Sequence, residues 1–266
     1  MSCLPLSGRI CTFPHVAVDK ARLVQCDGIS GDWYPGACLD VLGPGAGLES
    51  EKQLAEITWL GHACFRLKSR DATIITDPYD KSLGLGTLNQ RADIVTISHD
   101  NAHHATVAGV KGEPFVVKSP GEFEVKGVFI TGVWSYADDQ QGKVRGRNTI
   151  FLFHLDDLVV CHLGSLAHTL NASQLDALSN VDVLLVPVGG NTTLTPTRAS
   201  EVISQVEPKI VVPMHYSTGR ESVELGTLEA FAKEMGLKEW TAEDKLTIKA
   251  SDLDETTRVV VLEAKT

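Results

Sequence analysis

The sequence predicts a layered α/β or α+β domain, and three observations carry the prediction. Short β-branched runs recur from Glu56 onward, with turn residues between them. In the C-terminal half such runs alternate with stretches of helical period. Histidines and other polar residues fall just past the C-terminal ends of the runs, where open α/β sheets place their sites. With 266 residues the chain can bury a sizeable core. A hydrophobic share of 43% excludes disorder throughout. No apolar run reaches the length of a membrane span, about 20 residues. The net charge of −10 argues against a binder of nucleic-acid backbone, which needs a net basic face.

Residues 1–50 read differently from the rest. They are rich in turn formers, among them the run Gly43-Pro44-Gly45-Ala46-Gly47, and show no sustained period. They are expected to be a poorly ordered N-terminal extension, with a docking segment as the alternative; residues 51–266 form the domain. Four of the six cysteines (Cys3, Cys11, Cys26 and Cys38) lie in this stretch, without any Cys-x-x-Cys pair. With no secretory signal at the start, a reducing cytoplasm is the expected compartment, and a disulfide framework is not expected.

The domain then reads in order. Strands are expected at Ile57–Leu60 and Cys64–Leu67 around a Gly61-His62 turn, and at Thr73–Thr76, which stops at Asp77-Pro78. Ile94–Ile97 stops at Ser98-His99, and Phe115–Val117, Gly127–Ile130, Thr149–Phe153 and Leu158–Cys161 follow. A short helix is expected at Ser173–Leu178 and an apolar strand at Val183–Val186. A helix at Thr197–Val206 precedes a strand at Ile210–Val212. Thr227–Met235 is amphipathic, with Leu228, Phe231 and Ala232 on one face. Strands at Lys245–Ile248 and Arg258–Leu262 close the chain.

The stretch His99-Asp100-Asn101-Ala102-His103-His104 is the most informative. Imidazole nitrogens are good zinc ligands, and a turn at a strand end can aim several at one point; a histidine-rich polar loop is the alternative. His162 and His215 follow other strands and strengthen the metal reading.

With these residues in view, 56–266 resembles the metallo-β-lactamase superfamily, most closely its lactonase-like, Zn-dependent hydrolase branch. The resemblance is carried by Trp59-Leu60-Gly61-His62-Ala63-Cys64-Phe65, Thr76-Asp77-Pro78, the His99–His104 motif and Gly121-Glu122-Phe123-Glu124. His162-Leu163-Gly164-Ser165, Pro187-Val188-Gly189-Gly190 and Val212-Pro213-Met214-His215-Tyr216 complete it. The ordered set is specific, although no single motif is. It implies a four-layer αββα sandwich: two sheets face to face, helices outside, metals at the sheet edge.

The motif His-x-His-x-Asp-His of that superfamily is altered here. His99 and His104 keep the outer places, Asn101 stands for the middle histidine, and His103 stands for the aspartate. Ala137, in the stretch Trp134–Asp138 read as a loop, takes the place of a further ligand, and Ser165 that of a bridging aspartate. Two zinc ions roughly 3.5–4 Å apart repel strongly without a bridging carboxylate. One zinc is therefore expected rather than two, held by His103, His104 and His215 with His99 as a further ligand; a chain without metal is the alternative. Asn101, His162 and Ser165 are weaker candidates for the ligand set. His99 and Asp77 are assigned to catalysis, Asp77 as the acceptor that orients a ligand histidine, with a turn aspartate as the alternative. His62 is read as a structural histidine near the site, and Gly189-Gly190 as allowing close backbone approach. Asp100 and Asp138 are read as solvated loop acids. Arg145-Gly146-Arg147-Asn148 is read as a solvated loop, with anion binding as the alternative.

Two functions follow. One is a metal-dependent hydrolase of an ester, lactone, amide or phosphoester. The other is a catalytically inactive pseudoenzyme of the same fold, a binding or scaffold protein, which the replacements at Asn101, Ala137 and Ser165 favour. A nuclease is disfavoured by the acidic charge. The expected partner is a small-molecule substrate, not nucleic acid or membrane, and a homo-oligomer is left open.

Overall fold

The computed structural model describes residues 54–266. The expected extension over residues 1–50, its cysteines and the domain boundary at residue 51 lie outside the described residues. The first sheet-forming stretch holds β1 (Ala55–Trp59), β2 (Phe65–Lys68), β3 (Thr73–Thr76), β4 (Gln90–Arg91), β5 (Ile94–Thr96), β6 (Val110–Lys111) and β7 (Phe115–Val117). The middle holds β8 (Gly121–Val125), β9 (Val128–Tyr136), β10 (Arg147–Leu155) and β11 (Leu158–His162). There follow α1 (Ala172–Ala177), β12 (Val183–Pro187), α2 (Pro196–Val206), β13 (Ile210–Met214) and α3 (Leu228–Glu234). Strands β14 (Ala242–Glu243), β15 (Leu246–Ile248), β16 (Arg258–Val259) and β17 (Val261–Leu262) close the chain.

Two large sheets result. One has the order β15-β1-β2-β3-β5-β7 and the other β16-β13-β12-β11-β10-β9-β8. Their inner faces share one core. Ile57, Phe65, Leu67, Ile74 and Ile94 of the first sheet meet Ile130, Phe151, Phe153, Val160 and Leu185 of the second. Each such side chain, fully buried, contributes about 1.5–3 kcal/mol. Alternation along the strands sends Ile75 and Val95 to the opposite face, where Tyr79, Leu83, Leu88 and Val110 cover them. The helices lie on the other sheet: α1 against β9, α2 against β12 and α3 beside α2. The expected sandwich of two facing sheets is present; the outer cover of the first sheet includes 3₁₀ turns at Lys81–Leu83 and Val107–Gly109.

Local chemistry explains the helices. Asn171 and Gln174 close α1 with a reciprocal capping box. Thr195 caps α2, whose first residue is Pro196. Three strand expectations need correction. The strand expected at Gly127–Ile130 runs on as β9 to Tyr136, so Trp134–Tyr136 is strand rather than loop. Its pairing partner β10 is long enough to match it, from Arg147↔Tyr136 to His154↔Phe129. Strand β8 was not anticipated; Glu122 and Glu124 have low strand propensity, but the β8–β9 ladder pairs them to Thr131 and Phe129. The last expected strand is split, β16 pairing with β13 and β17 with β14.

Candidate metal centre

Three histidines from distant parts of the chain converge. His62 follows β1, His104 lies in the loop after β5, and His215 follows β13. One ring nitrogen of each lies within 4.8 Å of the others, and all three residues are buried. The backbone is shaped for this convergence. His62 and His215 have left-handed φ values of 53° and 56°, and Asp77 has 40°. Such conformations cost a non-glycine residue about 1–2 kcal/mol and persist only where the surroundings fix them. Here the His62 carbonyl accepts from both Trp59 Nε1 and the His215 amide, each at 3.0 Å. Gly189 permits the close approach expected of it, since a Cβ there would lie 2.1 Å from the His215 carbonyl oxygen.

His104 is oriented by Asp77. Its Nδ1 lies 2.9 Å from Asp77 Oδ2, so Nδ1–H donates and Nε2 is left unprotonated. Asp77 is fully buried after β3 and also accepts from the Ser98 amide at 2.7 Å and the Ser98 hydroxyl at 2.5 Å. Burial raises its pKa, but the His104 hydrogen bond and the nearby His162 outweigh that, and the carboxyl sits below its ordinary range. The Ser165 hydroxyl lies 3.2 Å from His104 Nε2.

Burial drives the His62 imidazole well below its ordinary pKa, with repulsion from His215 and His104 adding to the effect. His215 is pushed down to about 3, again mainly by burial and then by His104. Both rings are therefore neutral at pH 7, the ligand form. His62 Nδ1 and His215 Nδ1 are buried without a hydrogen-bond partner, which the protein interior rarely tolerates. Three imidazoles, one held by a buried carboxylate, fit a first-row divalent metal; zinc prefers such a nitrogen set at about 2.0–2.1 Å. No carboxylate stands among the three donors to bridge two ions.

The cavity over this cluster has a volume of about 130 Å³. His99, His103 and Ser165 line it with the three histidines. His99 is half-buried, and its Nδ1–H donates to the Arg147 carbonyl at 2.9 Å. Burial lowers its pKa, partly offset by that hydrogen bond. His103 is half-buried, and its Nε2 lies 3.2 Å from Ser82 Oγ. Burial lowers its pKa, with Asp80 opposing the shift.

Residues 56–215, more than half of the chain, match the model of the beta-lactamase superfamily domain. A crystal structure from Thermotoga maritima, of a candidate Zn-dependent hydrolase of the metallo-β-lactamase superfamily, is 37% identical with a TM-score of 0.64. The match covers 78% of this chain and 98% of that one. The chain belongs to the metallo-β-lactamase superfamily. It is 31% identical over 188 residues to a UPF0173 metal-dependent hydrolase of Methanoculleus marisnigri, covering 61% of this chain and 81% of the relative. A UPF0173 protein of Pyrococcus furiosus is 27% identical over 201 residues, covering 68% of this chain and 90% of the relative.

Against the metallo-β-lactamase motif, the departures all line the cavity. Asn101 and Ala137 line it, Asn101 exposed and accepting from the His103 amide through its side chain at 2.9 Å. Ser165 occupies the place expected for an aspartate and is anchored by its amide to Asn148 Oδ1 at 2.8 Å. His162 does not reach the cavity: it is buried in the core with Nε2–H donating to the Ala63 carbonyl at 2.9 Å. Asp138 is no solvated acid, since its carboxylate accepts four backbone amides, from Gln140, Gly142, Val144 and Arg145. His62, expected as a structural histidine near the site, lies within the three-histidine cluster. Its position directly after a strand and a glycine, like that of His215 after a strand, is the signal that could have singled it out.

Proposed function

We propose that this protein is a mononuclear metal-dependent hydrolase acting on a small ester, lactone, amide or phosphoester. The observation that carries the reading is the convergence of His62, His104 and His215 within 4.8 Å at the base of a cavity. The names of the metal-dependent relatives support it. Zinc is proposed from the all-imidazole donor set. His62 thus replaces His103 in the ligand set expected from the motif. Bound there, the metal supplies Lewis acidity that acidifies water and polarises the electrophile.

The chain's own groups do the rest. Asp77 fixes the His104 tautomer, holding the proton on Nδ1 and presenting Nε2. It is a positioning residue, since it touches His104 and Ser98 rather than the cavity. His99, pinned through Nδ1–H to the Arg147 carbonyl, keeps Nε2 as its unprotonated nitrogen. We assign it the general base that takes a proton from the attacking water. His103 and Ser165 line the cavity as hydrogen-bonding groups for the substrate. A volume of about 130 Å³ suits a small molecule rather than a polymer. Among the described residues no helix is long and apolar enough to cross a membrane. The free thiols of Cys64 and Cys161 are compatible with the reducing cytoplasm that we propose as the protein's compartment.

The test is elemental analysis of metal per chain, paired with hydrolysis assays on ester, lactone, amide and phosphoester panels. About one zinc per chain and metal-dependent turnover are expected. Two metals per chain would overturn the mononuclear assignment, and no metal under any loading condition would leave the inactive-fold reading in its place.

A further inference from the structure

We infer that Arg145 is an anion anchor at the mouth of the metal centre and that the substrate is an acyl compound carrying one carboxylate. The inference rests on the hydrolase reading above and names its substrate class. Arg145 lies in the connection between β9 and β10 and lines the cavity that holds the histidine cluster. Two restraints fix where its side chain begins and where it leads. Its amide donates to Asp138 Oδ2 at 2.7 Å, and its Nε donates to the Ala137 carbonyl at 2.7 Å. Ala137 itself is tied to Gly146 by a backbone hydrogen bond of 3.1 Å. The connection is thus a rigid frame around the Asp138 carboxylate, whose pKa is driven strongly down by the amides it accepts, that of Arg145 first.

The outer edge of the guanidinium is unclaimed. No described residue accepts from Nη1 or Nη2 of Arg145, and none forms an ion pair with it. The neighbouring arginines are occupied: Arg147 stacks over the Trp134 ring at 4.4 Å, and Arg198 pairs with Asp139 and donates to the Ala167 carbonyl. Glu224, the acid among the lining residues, is exposed and is not within ion-pair distance of Arg145. A chain of net charge −10 that admits an anion needs a fixed cation at the entrance. One guanidinium with two parallel N–H groups left over matches one carboxylate. Binding at Arg145 would hold the acid end of the substrate and set its scissile carbonyl toward the histidines.

The experiment uses the zinc-loaded full chain, with Arg145→Met and Arg145→Lys beside it. Glutarate and inorganic phosphate are the binding probes, by calorimetry. Mono-4-nitrophenyl glutarate and the neutral 4-nitrophenyl pentanoate are the paired substrates. We expect glutarate to bind at least tenfold more weakly to Arg145→Met, with part of the affinity restored in Arg145→Lys. We also expect a wild-type kcat/KM ratio of at least ten in favour of the anionic ester, falling toward one in Arg145→Met. Equal glutarate affinity in wild type and Arg145→Met overturns the anchor. A larger Arg145-dependent loss for phosphate than for glutarate overturns the carboxylate assignment. Turnover of both esters without preference in the wild type sinks the anchor and leaves the hydrolase standing. Arg145-dependent glutarate binding with neither ester hydrolysed supports the anchor and removes simple esters from the hydrolase reading, which the lactone, amide and phosphoester panels then decide. Should Arg145→Met fail to fold, the wild-type ester ratio and the Arg145→Lys affinity still decide.

Discussion

The base and the rim of the cavity each present histidines, in different physical states. At the base, His62, His104 and His215 are buried, and two of them sit on left-handed backbone. At the rim, His99 and His103 are half-buried and spend one nitrogen each on the Arg147 carbonyl and Ser82. The base histidines come from chain segments that meet only in the folded state. The rim histidines are near neighbours of His104 in sequence. Clustering along the chain therefore marked the region of the site, while convergence in space selected a different set of donors.

The sharpest way to break this contrast is to remove histidines one at a time. His62→Ala, His104→Ala and His215→Ala are each expected to abolish stoichiometric zinc by elemental analysis and to lower kcat/KM by about 10³-fold or more. His103→Ala is expected to keep its zinc. Loss of metal in His103→Ala but not in His62→Ala would reverse the assignment of base and rim.

The next effect belongs to the rim. His99→Gln is expected to retain metal and fold while kcat falls by about 10²-fold with little change in KM, the size of a lost general base. An unchanged kcat, or a loss of zinc equal to that of His104→Ala, would remove His99 from the proton-transfer role.

Asp77 sharpens the base. Asp77→Asn is expected to weaken zinc affinity about 10–100-fold, read by competition with a chelator. It should also cost about 3 kcal/mol of stability in denaturant melts, because a fully buried acceptor of three hydrogen bonds is altered. A stability loss with zinc affinity intact would make Asp77 a fold residue alone.

The smallest effect is the pH response of the metal-free protein. His62 and His215 are depressed by burial, so the unfolded chain binds more protons than the folded one below pH 6.5, the ordinary imidazole value. Their contribution to stability is fully present above that pH and is lost as pH falls, for His215 down to about 3. Stability should fall between pH 6.5 and 5.5, measured by urea unfolding. His62→Gln should reduce that slope; an identical slope would assign it to the other histidines that burial depresses, His162, His99, His103 and His215.

Much of the fold was legible because its strands are short, β-branched and closed by turns, as at Thr73–Thr76 and Val183–Pro187. Helices α2 and α3 were legible from their apolar period. Strand β8 was not, because its outward glutamates conceal an alternation that only pairing with β9 completes. The site was legible as a region: His99, His103, His104, His215 and Ser165 all line one cavity. The role of His62 was not, because nothing in its spacing from His104 encodes the left-handed turn and the amide of His215 that hold it. His162 shows the converse, a histidine at a strand end whose ring is taken by the Ala63 carbonyl.

The hydrogen bond from the His215 amide to the His62 carbonyl joins one of the first described strands to β13 of the other sheet. More than a hundred residues separate His104 from His215. Contacts of such span form late, after the loop-closure entropy of the intervening chain has been met. The donor set thus comes into being only when the two sheets have docked. A collapsed folding intermediate with its strands formed but its sheets apart would offer zinc isolated imidazoles, and capture of the ion would report the completion of folding rather than start it.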